Sequence, residues 1–217
     1  MTGHELESSA FKHIPEAFFG RLLRAVFAAH RISLEDCRSA FSESELKNVL
    51  PYYRRGKLEA YMRDAAEMVP GITSTVVLGE GNWNHTELRC GPVVLTASSV
   101  AAPCALVERA EFRQTLARDN AQRLWVEPGD IPPDNAPLYL LLLHSRSRWE
   151  TRDQRLESQH LPGSAYIAFP SPHLDAYVHE INLFERFPQI VEAEMPHSWD
   201  QEACVRYVAN ARKARAA

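Results

Sequence analysis

The sequence predicts an α+β fold in which a mainly antiparallel sheet of about five strands is covered by helices. Three observations favour this class. Apolar residues recur at helical spacing before residue 70, β-branched residues and turn clusters dominate 72–97, and a continuous apolar run of strand length begins at Leu138. The length of 217 residues suits one domain. We expect a helical part (15–69), a sheet-containing core (70–187) and a C-terminal helix (198–215).

The N-terminal third is predicted to form successive helices after ten residues that lack a clear pattern and are expected to be loose. The first helix covers 15–30, because its apolar side chains form one broad face. A short helix follows over 34–41. Ser42-Glu43-Ser44-Glu45 then has the capping-box pattern that opens a helix, which continues to about Val69. Pro51 leaves open whether this last helix restarts there.

The middle of the chain changes to a period of two. Predicted strands over 72–78, 85–89 and 92–97 form a meander, with Cys90-Gly91 as a tight hairpin turn. The run 138–144 is apolar throughout, which is typical of a central strand buried on both faces, and 164–170 is its natural partner. The other predicted elements are a helix over 106–124, a proline-rich loop over 127–137, an exposed arm over 145–163 and a helix from Ser171 to about Phe187.

The composition excludes several classes of protein. Hydrophobic residues make up 45% of the chain and charged residues 24%, and the net charge of −4 argues against wholesale nucleic-acid binding. No apolar run approaches the roughly 20 residues of a membrane span. The first residues lack a secretory-signal pattern, and the four cysteines are not paired as Cys-x-x-Cys. We therefore expect a soluble cytoplasmic protein with free thiols.

Most familiar catalytic motifs are missing from the sequence. The nine histidines lack metal-ligand spacing. The cluster Gly79-Glu-Gly-Asn lacks the lysine and the third glycine of a phosphate loop, and no Gly-x-Ser-x-Gly elbow is present. We therefore expect neither a metal nor a cofactor.

One predicted strand nevertheless brings together residue types that could do chemistry. His85, Glu87 and Arg89 occupy positions i, i+2 and i+4 and therefore share one face. Metal-independent cleavage of RNA needs a base, an acid and a cation, and this set supplies all three. His144 would add a second imidazole if its strand is adjacent. The alternative is that these are solvent-facing strand residues, with Glu87 and Arg89 paired across the sheet.

A second group of candidate residues follows Pro51. If a helix begins at Pro51, the cations Arg54, Arg55 and Lys57 lie near its positive end, which favours a bound anion such as a phosphate. Glu43, Glu45 or another acidic segment could also supply that anion. If the helix instead runs unbroken from Ser44, the three cations are mid-helix residues that need no ligand.

The third candidate lies in the arm that follows the apolar strand. Arg146, Arg148 and Trp149 interleave arginine with an aromatic ring, a combination that suits a protein interface or phosphate contacts with base stacking. Acidic residues within the arm weaken the nucleic-acid interpretation. The alternative is a solvated hairpin with internal ion pairs.

Three segments carry a resemblance: Leu50-Pro-Tyr-Tyr-Arg-Arg-Gly-Lys-Leu-Glu, the stretch over 85–98, and Arg109-Ala-Glu-Phe-Arg. The group that they resemble consists of uncharacterised bacterial proteins beside regulator-like genes, in toxin–antitoxin-like or defence-type pairs. The similarity spans most of 46–187 and includes no catalytic motif. It implies a bacterial cytosolic origin and a protein partner, and it assigns no mechanism.

Two functions therefore remain open at the level of sequence. The leading hypothesis is an interaction or regulatory protein that acts through a protein partner, with Arg148 and Trp149 at the interface. The second is a metal-independent ribonuclease-like toxin with His85 as base, Glu87 as acid or base and Arg89 as phosphate clamp. For this second function, Arg54 and Arg55 would contribute to binding.

Overall fold

The computed structural model describes residues 2–79, 84–103, 105–124, 133–146 and 160–195, and six strands within these ranges form one sheet. The strands follow one another across the sheet in chain order and are antiparallel to their neighbours except for the third and fourth, which are parallel. The predicted α+β class is confirmed, but the sheet has six strands and is mixed. The strands are β1 (Thr73–Leu78), β2 (Asn84–Cys90), β3 (Val93–Val100), β4 (Leu138–Arg146), β5 (Pro162–Pro170) and β6 (Tyr177–Asn182).

Helix α1 (Gly3–His13) lies where the sequence analysis expected a loose segment, and that expectation was wrong. Thr2 and Glu5 form a capping box, in which each side chain bonds to the other residue's backbone N–H. Leu6 and Ala10 are fully buried in the main core. The capping box and the burial of one face together stabilise this helix.

Helix α2 (Glu16–Ala40) is continuous, whereas two separate helices over 15–30 and 34–41 were predicted. The buried residues His30, Ser33 and Cys37 continue the helical spacing of the apolar face, so nothing ends the helix between the two predicted segments. Helix α3 (Glu43–Glu67) begins at the predicted capping box of Ser42 and packs along α2.

Pro51 lies inside α3 and does not restart it. Proline removes one backbone donor from a helix interior. Here the buried side chains Leu58 and Met62 anchor the rest of α3 in the core shared with α2. Of the two alternatives, the unbroken helix is therefore correct, and the cations after Pro51 are mid-helix residues.

Strand β4 is the centre of the sheet, as its apolar run predicts. Alternate side chains enter two cores: Leu138, Leu140 and Leu142 face the core that contains α1–α3, whereas Tyr139 and Leu141 face a smaller core on the other side. The predicted pairing with the segment over 164–170 is confirmed, because β4 and β5 are antiparallel neighbours. The hairpin turn predicted at Cys90-Gly91 lies one residue later, at Gly91-Pro92, because Cys90 still pairs with Val93. Gly91 has a φ of +55°.

Other helices are shorter than predicted. In place of one helix over 106–124, the chain forms two shorter helices, α4 (Glu111–Asp119) and α5 (Ala121–Leu124). The prediction of a helix over 171–187 was wrong. Ser171 and Asp175 close a local turn through their side chains, and β6 follows. Two short helices, α6 (Leu183–Arg186) and α7 (Pro188–Glu194), come after β6.

Three predicted segments lie wholly or mainly outside the described residues. They are most of the loop over 127–137, most of the arm over 145–163, and the C-terminal helix over 198–215.

Asn120, between α4 and α5, joins the smaller core to the sheet. Its side-chain amide donates to the carbonyls of Tyr139 (3.1 Å) and Pro170 (2.8 Å), and its carbonyl oxygen accepts from the Tyr139 N–H (2.6 Å). We predict that Asn120→Ala lowers the free energy of unfolding by about 3 kcal/mol or more, because buried backbone groups lose their partners. Urea denaturation measures this change. The exposed Asn48→Ala is the control, and a loss under about 1 kcal/mol for Asn120→Ala would contradict the prediction.

Candidate functional site

Strand β2 brings His85, Glu87 and Arg89 into direct contact. The Nε2 atom of His85 lies 3.3 Å from one carboxylate oxygen of Glu87, and the Arg89 guanidinium donates to the other at 2.6 Å. Because the three residues alternate along one strand, the pleat fixes their spacing. Glu87 therefore bridges an imidazole and a guanidinium.

Burial distinguishes this set from ordinary solvent-facing strand residues. The exposed fractions of His85 and Glu87 are 3% and 6%, whereas the Arg89 side chain is about half exposed. Phe112 of α4 stacks on the His85 ring with 3.7 Å between centroids and 18° between planes. The Nδ1 atom of His85 is buried and has no hydrogen-bond partner within the described residues. The ion pairs of Glu87 run along β2, whereas the alternative interpretation expected Glu87 and Arg89 to pair across the sheet.

Residues that the sequence analysis did not select complete this side of the sheet. The guanidinium of Arg113 lies 4.9 Å from the Phe112 ring centre, and its pKa is lowered chiefly by burial. The hydroxyls of Thr96 and Tyr139 share a 2.7 Å hydrogen bond, and burial raises the pKa of Tyr139. Membership of a segment that carries the resemblance was the sequence feature that could have identified Arg113. Tyr139 lies in an apolar run, so no sequence feature pointed to its hydroxyl.

The set of His85, Glu87 and Arg89 contains a base and a cation that could act in acid–base chemistry. A carboxylate that accepts from His85 Nε2 would fix the tautomer in which Nδ1 carries a lone pair and can act as a base. Arg89 could neutralise a developing negative charge at the exposed end of the set. The stacked Phe112 ring covers His85, so a substrate reaches the imidazole only if Phe112 moves.

His144 does not join this set. β3 lies between β2 and β4, and the Nδ1 atom of His144 lies 3.0 Å from Nε2 of His30 in α2. Both imidazoles are buried. Burial, followed by the nearby Arg54 charge, lowers the pKa of His144 to about 3, and the same causes lower the pKa of His30 well below its usual value.

Arg54, Arg55 and Lys57 do not form one patch. Arg54 is 4% exposed, and burial followed by the charge of Arg146 lowers its pKa to about 10. Arg55 instead pairs with Glu59 at 3.0 Å and donates to the Asn84 carbonyl at the start of β2.

Lys57 makes a 2.9 Å ion pair with Asp36 of α2. Protein carboxylates thus supply the anions for two of the three cations. Arg54, Arg55 and Lys57 therefore do not form the predicted anion-binding site. Arg55 does link α3 to β2, the strand that carries His85.

Of the three candidate residues in the predicted arm, only Arg146 lies among the described residues. Arg146 is exposed at the end of β4, and its charge contributes to the lowered pKa of both Arg54 and His30. Arg148 and Trp149 lie outside the described residues.

A different surface of α3 combines exposed aromatic side chains with a glycine. Tyr52 is 63% exposed and Tyr53 is 38% exposed. A shallow groove runs between them and Gly56, and all of its lining residues come from this one helix: Asn48, Val49, Tyr52, Tyr53, Gly56 and Lys57. Tyr53 donates to Asp36 at 2.9 Å, and Lys57 binds the same carboxylate. We call this surface the α3 groove. Tyr52, Tyr53 and Gly56 were quoted only in the segment that carries the resemblance, and Lys57 was considered only as an anion-binding cation.

Comparisons with protein-family models, with curated proteins and with solved structures found no match to this chain. Among the described residues, no group of three or more histidine, cysteine, aspartate or glutamate side chains could hold a metal ion. None of the described helices has the length and apolarity of a bilayer-spanning segment.

The buried histidine pair predicts a loss of stability in acid. The folded pKa of His144 is about 3, and its ordinary value is 6.5. Below pH 6.5 the unfolded chain therefore binds more protons at this position than the folded chain. The contribution of His144 to the free energy of unfolding is complete above that pH and falls as the pH drops toward 3. By linkage, His144 alone should remove about 2 kcal/mol of the free energy of unfolding by about pH 5.

The measurement is urea denaturation of wild type and His144→Gln between about pH 7.5 and about pH 5. The variant cannot titrate at this position, so its stability should fall less steeply across this range. His4→Gln, at an exposed position, is the control. Parallel pH dependence in wild type and His144→Gln would contradict the assignment.

Proposed function

We propose that this chain is a bacterial cytosolic interaction protein that acts through a protein partner, as one component of a toxin–antitoxin-like or defence-type module. The observation that carries the proposal is Gly56 in the α3 groove. It lies in the interior of a helix, within the segment Leu50–Glu59 that carries the resemblance to such modules.

Gly56 has no evident role within the described fold. Glycine in a helix interior costs about 0.5–1 kcal/mol relative to alanine. Its φ is not positive, and a Cβ atom built at this position would meet no atom within 4 Å apart from its chain neighbours and the backbone of its own helix. Gly56 lowers the stability of α3, and nothing in the described fold requires a glycine there. This combination supports close approach of another molecule to the helix at this position.

The rim of the α3 groove supports a protein as that molecule. Exposed tyrosines supply large contact areas with few rotatable bonds, and they are enriched in protein interfaces. Asp36 holds both Tyr53 and Lys57, so part of the rim is ordered before any partner binds. The Asp36–Lys57 ion pair beside Tyr53 would then give orientation, whereas the tyrosine rings give contact area.

The proposal predicts opposite effects of one substitution on stability and on binding. Gly56→Ala should raise the free energy of unfolding by about 0.5–1 kcal/mol. The same methyl group should weaken binding of the protein encoded by the adjacent gene, because it occupies the space into which the partner packs. Thermal unfolding measures the first effect and calorimetric titration with the co-purified partner measures the second.

Tyr52→Ala should weaken the same complex by at least about 1–2 kcal/mol, as expected for an interface anchor. Asp64→Ala, at an exposed position of α3 outside the groove, is the matched control and should bind like wild type. Failure of the adjacent gene product to bind, or equal binding by wild type, Gly56→Ala and Tyr52→Ala, would overturn the proposed function.

A second candidate function is metal-independent cleavage of a phosphodiester. The specific observation in its favour is the contact of Glu87 with both His85 and Arg89, together with the unpartnered Nδ1 of His85. This candidate predicts cleavage of RNA in the presence of EDTA, because no metal is involved. His85→Ala should lower the rate at least about a hundredfold, as for removal of a general base.

His179 provides the control, because it also pairs with a glutamate, at 3.1 Å from Glu7. His179→Ala should leave any cleavage unchanged. If the purified chain does not cleave RNA, or if His85→Ala cleaves it at the wild-type rate, this candidate is rejected.

A further inference from the structure

Buried polar side chains converge where α2, α3 and β4 meet. His30 of α2 contacts His144 of β4 at 3.0 Å, and Ser33 lies one turn further along the buried face of α2. Arg54 is on the buried face of α3, and its charge acts on both imidazoles. Arg146 follows His144 at the end of β4, and its charge acts on both Arg54 and His30. We call these residues the histidine–arginine cluster.

Two side chains of the cluster have polar atoms that the described fold leaves without hydrogen bonds. Ser33 is 0% exposed, and its hydroxyl oxygen has no hydrogen-bond partner within the described residues. The same is true of His30 Nδ1, although the Leu161 backbone lies near enough to oppose the lowering of the His30 pKa. Buried polar atoms nearly always have partners. These atoms therefore indicate a bound group that supplies hydrogen-bond acceptors.

The electrostatic field in the cluster favours an anion as that group. After burial, the charge of Arg146 is the next cause of the lowered pKa of Arg54. Burial, followed by the charges of Arg54, His144 and Arg146, lowers the pKa of His30. The cluster contains no carboxylate of its own, and its arginine and serine side chains are hydrogen-bond donors. A concentration of positive charge of this kind attracts a negatively charged ligand.

We propose that the histidine–arginine cluster binds a phosphate group, with Arg54 and Arg146 as its counter-charges and the Ser33 hydroxyl as a further donor. Arginine and phosphate form strong charge-assisted hydrogen bonds. The donors come from α2, α3 and β4, so they approach from several directions. This arrangement suits the tetrahedral oxygens of a phosphate better than the two oxygens of a planar carboxylate.

The position of the cluster limits the kind of phosphate that it can take. Arg146 is exposed at the end of β4, so a ligand would enter from that side, whereas Ser33 is fully buried. An internal phosphate of a polymer could not reach Ser33. The ligand is therefore the phosphate ion or a terminal phosphomonoester. The cluster lies on the buried side of α3 and the α3 groove on its exposed side, so this inference does not depend on the proposed function.

The test is calorimetric titration of the full chain with inorganic phosphate and with adenosine monophosphate at constant ionic strength. Ser33→Ala should raise the dissociation constant at least about tenfold. It removes a hydroxyl that has no partner within the described residues, so the variant should fold like wild type. Arg146→Gln, at an exposed position, should have a similar effect on binding. Ser39→Ala, at an exposed position of the same helix, is the matched control and should bind like wild type.

NMR of the labelled imidazoles determines where the phosphate binds. The signals of His30 and His144 should move with the same saturation as the calorimetric curve, whereas those of His179, which pairs with Glu7, should not. Tighter binding of adenosine monophosphate would identify a phosphomonoester as the ligand, and equal binding would identify the phosphate ion.

Two results would overturn the proposal. One is a wild-type chain that binds neither compound with a dissociation constant below about 10 mM. The other is equal binding by wild type, Ser33→Ala and Arg146→Gln, because a purely structural cluster would leave the titration unchanged by these substitutions.

Discussion

Burial of β4 on both faces is the constraint on which the rest of the fold depends. A strand in which Leu138 to Leu143 are all buried needs a cover on each side. The helices α1–α3 supply one cover, and α4 with the segments around β5 supplies the other. Asn120 fixes the second cover by three hydrogen bonds to backbone groups of β4 and β5. β3 pairs in parallel with β4, and β2 pairs antiparallel with β3.

The same constraint explains why His144 is buried at the end of β4. His144 continues the helix-facing side of β4, so it meets His30 of α2 and neither ring is in water. A hydrogen bond between two ring nitrogens needs a lone pair on one of them, and full protonation of both rings would break it. His85 is buried for a different reason, because Phe112 of α4 extends over β2. The two histidine sites are therefore separate, and among the described residues only the His85 site contains a carboxylate.

The sequence was sufficient wherever a local period decides the structure. The i, i+2, i+4 spacing placed His85, Glu87 and Arg89 together, and the apolar run identified β4. Prediction failed where tertiary contacts decide. Ser171-Pro172 has a helix-start pattern, but Ser171 closes a turn and pairing with β5 makes Tyr177–Asn182 a strand. Arg54 could not be predicted to be buried, because its environment comes from α2 and β4, which are distant in sequence. Nor could the cover of Phe112 over His85 be foreseen from β2 alone.

We propose that this chain functions through the α3 groove and not through the His85 set. The most direct measurement is backbone amide NMR of the labelled chain, titrated in turn with the adjacent gene product and with an RNA oligonucleotide. We expect the adjacent gene product to change the resonances of residues around Tyr52 and Gly56, and RNA to leave those of β2 and α4 unchanged. Saturable changes at His85, Glu87 and Phe112 on addition of RNA, with no response of α3 to the protein, would contradict it.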